Sequence, residues 1–257
     1  MTKLVAAVLI LIAAGCANTS PDPSDYLPKS VADTDAQSRA RIHSELAAGY
    51  YELGNYGVAL QEATESLRAD ASYVPAYGVL GLVYMELRDD KAAEANFLHA
   101  LRISPYDSDV NNNYGWFLCQ RKREQESIKY FLAALRNPLY TTPDKSWVNA
   151  GICARQSGDL VAATDYFGKA LKVRPTQQQA LFQLADMAYK RKSYPEAKSY
   201  LVRVQRDVEP TAELLWLSLR VERNLGDRNA EASLGFQLRR SFPESREARA
   251  LLAGQYE

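Results

Sequence analysis

Residues 74–107 read VPAYGVLGLVYMELRDDKAAEANFLHALRISPYD. Tyr77, Leu80, Gly81 and Tyr84 recur at helical spacing in the first half, and Ala93, Phe97 and Ala100 do so in the second. Small residues at Gly81, Ala93 and Ala100 let the two helices of a hairpin approach closely, while Tyr77, Tyr84 and Phe97 fill the space beside them. Pro105 helps end the second helix and starts the next unit. Working outward, the small residue at Gly81 returns as Ala47, Gly115, Gly151 and Ala185, in steps of 34, 34, 36 and 34. A small residue at a fixed period of this length marks a stack in which each repeat is one helical hairpin.

The neighbouring windows carry the same positions. Residues 40–73 supply Leu46, Ala47, Tyr50, Gly54, Ala59 and Leu67, and residues 108–141 supply Tyr114, Gly115, Phe131 and Ala134. Residues 144–177 supply Trp147, Gly151, Gly158, Ala163, Phe167, Ala170 and Pro175; residues 178–211 supply Leu181, Leu184, Ala185, Ala188, Ala197 and Leu201. A sixth window, 212–245, keeps Leu215, Gly226, Leu238 and Pro243 but puts Leu219 at the small position, as in a degenerate end repeat. SREARALLAGQYE, from Ser245 to the end, predicts a short helical cap. Asn137–Pro143 carries the two extra residues behind the step of 36 and two prolines, so a wider turn is expected there.

This pattern resembles the tetratricopeptide repeat. The resemblance implies an all-α fold, a right-handed superhelix of about six helical hairpins with one concave face, and a single domain over Ala40–Glu257. An unrelated helical bundle would share the apolar period but not the aligned small residues.

The front of the chain is of another kind. MTKLVAAVLILIAAG, residues 1–15, has Lys3 ahead of an apolar run from Leu4 to Ala14 that is too short for an ordinary membrane span. Ala13-Ala14-Gly15-Cys16 resembles the lipobox of bacterial lipoproteins, which makes Cys16 the lipidated first residue of the mature chain. Ala13 departs mildly from the bulky aliphatic residue often found there. Ala17, rather than aspartate, follows the cysteine, so the resemblance implies an outer-membrane address facing the periplasm. An ordinary signal peptide with an incidental cysteine is the alternative. Residues 16–39, rich in proline and small polar side chains, then read as a flexible tether.

Composition excludes several function classes. The chain has 31 basic and 31 acidic side chains, and no long basic run draws it to nucleic acid. Its two histidines, His43 and His99, stand far apart, and no metal-ligand spacing joins them to cysteine or carboxylate. No GxSxG, HExxH, Walker loop or dinucleotide fingerprint is present, so no catalytic residue, metal or cofactor is expected. Asp107-Ser108-Asp109 reads as a helix start.

Binding is what remains. In repeats of this kind, positions 2, 5, 9 and 12 of each first helix face the groove. There the apolar side chains Tyr51, Leu82, Met85, Trp116, Val148, Ile152, Phe182 and Trp216 recur. As a set they suit the docking of an apolar helix or extended segment; packing of neighbouring helices would instead bury some of them. No repeated carboxylate clamp of lysine, asparagine and arginine lies along the groove. Cys119 and Cys153 fall near the same end of consecutive first helices. A disulfide is geometrically reasonable, and two buried thiols are the other reading.

Asn112-Asn113-Tyr114-Gly115-Trp116-Phe117-Leu118-Cys119 resembles the NNYG-x-FL segment of the type IV pilus biogenesis lipoproteins of the PilF/PilW family. Asn149-Ala150-Gly151-Ile152-Cys153, Asn137-Pro138-Leu139-Tyr140 and the Leu238–Pro243 ending fit as well. Members are pilotins, which help the pilus secretin reach the outer membrane and assemble into its ring. The resemblance implies Cys16 as lipid anchor, Cys119–Cys153 as a bridge, the secretin as partner and other pilus assembly proteins as further partners. A general periplasmic scaffold shares every feature but the NNYG run. An accessory of a peptidoglycan-active enzyme would need a second domain.

Overall fold

The computed structural model describes residues 35–205 and 209–256. The predicted signal segment, Cys16 and the tether up to residue 34 lie outside the described residues. Thirteen helices follow among those described, with no strand. Six hairpins run α1 (Asp35–Glu52) with α2 (Tyr56–Ala69), α3 (Val74–Glu86) with α4 (Asp90–Ile103), and α5 (Ser108–Gln120) with α6 (Glu124–Ala134). They continue as α7 (Pro143–Gln156) with α8 (Leu160–Val173), α9 (Gln178–Lys190) with α10 (Tyr194–Gln205), and α11 (Ala212–Leu225) with α12 (Arg228–Ser241). A short α13 (Arg246–Leu252) closes the stack. Helix α1 takes in residues 35–39, which the sequence reading gave to the tether; this AQSRAR-type run of good helix formers extends the first helix by a turn.

Each first helix packs on its own second helix and on the next first helix, while consecutive second helices do not meet among the described residues. The row that packs on itself is therefore the inner, concave row, and the second helices splay on the outside, as in a solenoid.

Phenylalanine packed on glycine sets the spacing inside three hairpins. Phe97, Phe131 and Phe167 are fully buried. A Cβ added to Gly81, Gly115 or Gly151 would come within 2.5, 2.8 and 2.5 Å of those rings in turn. Each buried ring contributes roughly 1.5–3 kcal/mol through apolar area alone. The sixth hairpin inverts the arrangement: Leu219 on α11 is fully buried, and glycine, Gly235, stands on α12 within 3.4 Å (from its added Cβ) of the Leu219 side chain. The last repeat is thus complementary in its own way, with the large side chain moved to the other helix.

Between the two helices of each hairpin the chain reverses through one left-handed residue. Gly54, Gly158 and Gly226 hold φ of 72°, 86° and 81°; Arg88, Lys122 and Lys192 hold 60°, 59° and 62° at the equivalent positions. The next backbone N–H then reaches back five residues, as in Asp89 N to Tyr84 O (3.0 Å) and Arg123 N to Leu118 O (2.9 Å), which is the helix-ending Schellman pattern. Aspartate caps restart the chain: Asp89, Asp107, Asp159 and Asp227 each accept the N–H three residues on.

Candidate functional site

The inner row divides the eight apolar residues that the repeat positions nominate. Tyr51, Leu82, Trp116 and Phe182 are partly exposed on the concave face. Met85, Val148, Ile152 and Trp216 are buried, at 7, 1, 9 and 9% exposure. The physical reason is the close packing of first helices on one another. Val148 and Ile152 lie in one cluster with Leu184 and Met187 of the next first helix, and Met85 lies with Val110, Tyr114 and Phe117. Trp216 is covered by the chain's own Tyr256, whose ring stacks on it at 5.7 Å and 18°. These four are core residues, and Trp216 in addition is capped.

Polar groups on the inner row are mostly engaged. Asn112 Oδ1 accepts from Ser146 Oγ (2.9 Å) and Asn149 Nδ2 (3.0 Å), which ties α5 to α7. Asn111 Nδ2 donates to the Pro105 and Asp107 carbonyls. The start of the NNYG run is therefore scaffold, since Asn112 holds the next repeat and Asn111, just before the run, holds the helix start. Ser146 Oγ also reaches Tyr140 Oη (3.3 Å), so the wide turn between α6 and α7 is pinned to the same cluster. Arg155 bridges Gln183 and Asp186 on α9. Burial pushes the Asp186 carboxyl up, but hydrogen bonds from Arg155 and Lys190 outweigh it and hold the group below the usual carboxylate range. Burial, and after it Glu86, push the Tyr51 phenol up to about 12, so it stays a neutral donor.

Cys119 and Cys153 are both buried and stand with Cα atoms 5.8 Å apart, within bridging range. Ser127 Oγ lies 3.0 Å from the Cys153 sulfur. Neither histidine sits in a ligand cluster: His43 meets Glu62 Oε2 at 2.7 Å, and His99 packs on Tyr77 at 4.3 Å. No group of His, Cys, Asp and Glu that could hold a metal occurs among the described residues.

A second apolar surface lies on α1 and the residue that follows it. Ile42, Leu46 and Leu53 are 51, 44 and 80% exposed, and with Gly49 and Tyr50 they line one shallow cleft. Sequence reasoning looked only for groove positions and passed over it. The spacing of 42, 46, 49 and 53 along one helix face was the available signal.

Tetratricopeptide-repeat family models match residues 74–107 and 148–206. The type IV pilus assembly protein PilF of Pseudomonas aeruginosa is 29% identical over 242 residues, 94% of this chain and 95% of that protein. The solved structure of Pseudomonas aeruginosa PilF superposes with a TM-score of 0.76 at 28% identity, covering 86% of this chain and all of that one. The crystal structure of PilW, a widely conserved type IV pilus biogenesis factor, superposes with a TM-score of 0.74 at 32% identity, covering 83% of this chain and 98% of that one. Fold and inner face define a tetratricopeptide-repeat binding protein whose first helices form the concave surface. Within that class the chain belongs to the PilF/PilW family of type IV pilus biogenesis proteins. It is a non-catalytic member.

Proposed function

We propose that the chain is a pilotin, an outer-membrane lipoprotein that binds the type IV pilus secretin and promotes its localisation and multimerisation at that membrane. The observation that carries the reading is the match to PilF and PilW over nearly the whole chain, at a TM-score of 0.74–0.76. Residues 1–15 act as signal segment, Cys16 bears the lipid, the residues up to the first helix form a tether, and the repeats face the periplasm. Several acyl chains on Cys16 anchor firmly where one would be marginal. A lipid-sorted carrier raises the local concentration of a bound secretin protomer at the target membrane without breaking any bond in it. The partly exposed Tyr51, Leu82, Trp116 and Phe182 form the contact strip. In the oxidising periplasm Cys119 and Cys153 are bridged, which adds roughly 3–4 kcal/mol on the chain-entropy model.

The test is SDS-resistant secretin multimer content in outer-membrane fractions of wild type, a deletion strain and Cys16→Ala. Multimers are expected to vanish in the deletion and to be lost or mislocalised in C16A. Normal multimers in the deletion strain would overturn the reading and leave a periplasmic scaffold with another client.

A further inference from the structure

At the C-terminal end of the concave row, Arg220 stands where Asp186 stands one repeat earlier. Its guanidinium lies over two ring faces, 4.7 Å from the Tyr189 centroid and 5.5 Å from that of Trp216. Three acids of α9, α11 and α12 are committed elsewhere: Asp186 to Arg155 and Lys190, Glu222 to Lys198, and Glu231 to Arg223 and Arg228. No ion pair among the described residues includes Arg220, and its Nε is buried without a hydrogen-bond acceptor. An orphaned buried donor is costly, and more so when charged. The neighbouring Arg223 shows the contrast, since it lies 3.9 Å from the Tyr256 ring centroid and also donates to Glu231.

A guanidinium lying over aromatic rings keeps its N–H donors for a partner, and its edge matches a carboxylate as a two-pronged fork. Phe182, at the same helical position as Trp216 one repeat back, is a partly exposed apolar residue of the same inner row. A nucleic-acid phosphate is disfavoured by a balanced chain charge with no basic run. We propose that Arg220 is a carboxylate-reading position of the concave face. It takes an Asp or Glu side chain from a partner segment whose flanking apolar residues lie on Phe182 and Tyr189. The inference rests on the concave face being the protein-binding surface, as in the pilotin reading.

The test is fluorescence polarisation with the mature lipoprotein in detergent and a fluorescein-labelled Leu-Phe-Glu-Phe-Leu peptide, amidated at its end, against its Gln counterpart. The wild type should prefer the Glu peptide by about tenfold or more. Arg220→Gln should reduce the preference to about twofold or less. Arg220→Lys, which keeps the stacked charge and the fold but loses the fork, should fall between. The Arg220 Nε–H resonance should shift with the Glu peptide only. Equal binding of the two peptides, an unchanged preference in R220Q, or tighter binding of a Gln peptide with a free terminal carboxylate would each overturn the site. No secretin is present in this assay, so its failure leaves the pilotin reading standing, and failure of the membrane-fraction test leaves the peptide result standing.

Discussion

Three central hairpins and the last one solve the same packing problem with opposite residues. In the second, third and fourth, glycine on the first helix faces phenylalanine on the second: Gly81 with Phe97, Gly115 with Phe131, Gly151 with Phe167. In the sixth, Leu219 on the first helix faces Gly235 on the second. The first and fifth hairpins sit between, with Ala47 opposite Ala63 and Ala185 opposite Leu201. In five of the six hairpins one large side chain is seated against one small one, whichever helix carries which, while the first pairs two alanines.

The strongest way to break this comparison is to move the phenylalanine. Phe167→Ala should destabilise the chain by about 3–5 kcal/mol, because a fully buried ring leaves a cavity that Gly151 cannot fill. Gly151→Leu alone should do comparable damage by overpacking. The swap Gly151→Leu with Phe167→Gly copies the last repeat into the fourth and should be more stable than the sum of its single variants by up to about 3 kcal/mol. Urea unfolding of the four proteins measures the coupling. Strict additivity would mean that the size pairing is not what sets the hairpin.

A milder comparison adds one methyl group to each kind of glycine. At Gly151 a new Cβ would lie 2.5 Å from a Phe167 ring carbon that is itself locked in the core. Gly151→Ala should therefore cost about 1–3 kcal/mol. At Gly235 the nearest atoms, from Leu219 and Leu251, are 3.4 Å away at the ends of flexible side chains. Gly235→Ala should be close to neutral or gain up to about 1 kcal/mol from helix propensity. Thermal melts of the two variants should move in different directions or by clearly different amounts. Equal losses would show that the inverted repeat is packed as tightly as the central ones.

The repeat unit was legible because its glycines and phenylalanines return at a fixed period, and the period fixes which faces meet. The inversion at Leu219 was not, because a template that assigns sizes to positions reads Leu219 as a fault. Gly235 opposite it becomes informative only when the two helices are seen in contact. The groove was half legible for a related reason. Helical spacing tells that Val148 and Phe182 share an inner face, but not that Val148 is shut against α9 while Phe182 stays partly open. That difference comes from how closely consecutive first helices pack. Tyr256 over Trp216 lay further out of reach, since it joins the last residues to a position forty residues earlier. Arg220 falls at a groove position of the repeat, but its missing acceptor is a property of three-dimensional surroundings.

The smallest effect concerns the turn inside each hairpin, where the same comparison recurs in the backbone. Gly54, Gly158 and Gly226 adopt the left-handed conformation without a Cβ penalty, whereas Arg88, Lys122 and Lys192 adopt it against one. The non-glycine turns persist because the helix-ending hydrogen bonds and the packing of the next helix both require that geometry. Arg88 is exposed and makes no ion pair among the described residues, so Arg88→Gly should relieve strain at little other cost. Glycine also gains freedom in the unfolded chain, which offsets part of the benefit. A net gain of about 0.5–1 kcal/mol is expected, read as a higher urea midpoint at unchanged slope. A loss instead would mean that the Arg88 side chain holds the turn by contacts worth more than the backbone strain it imposes.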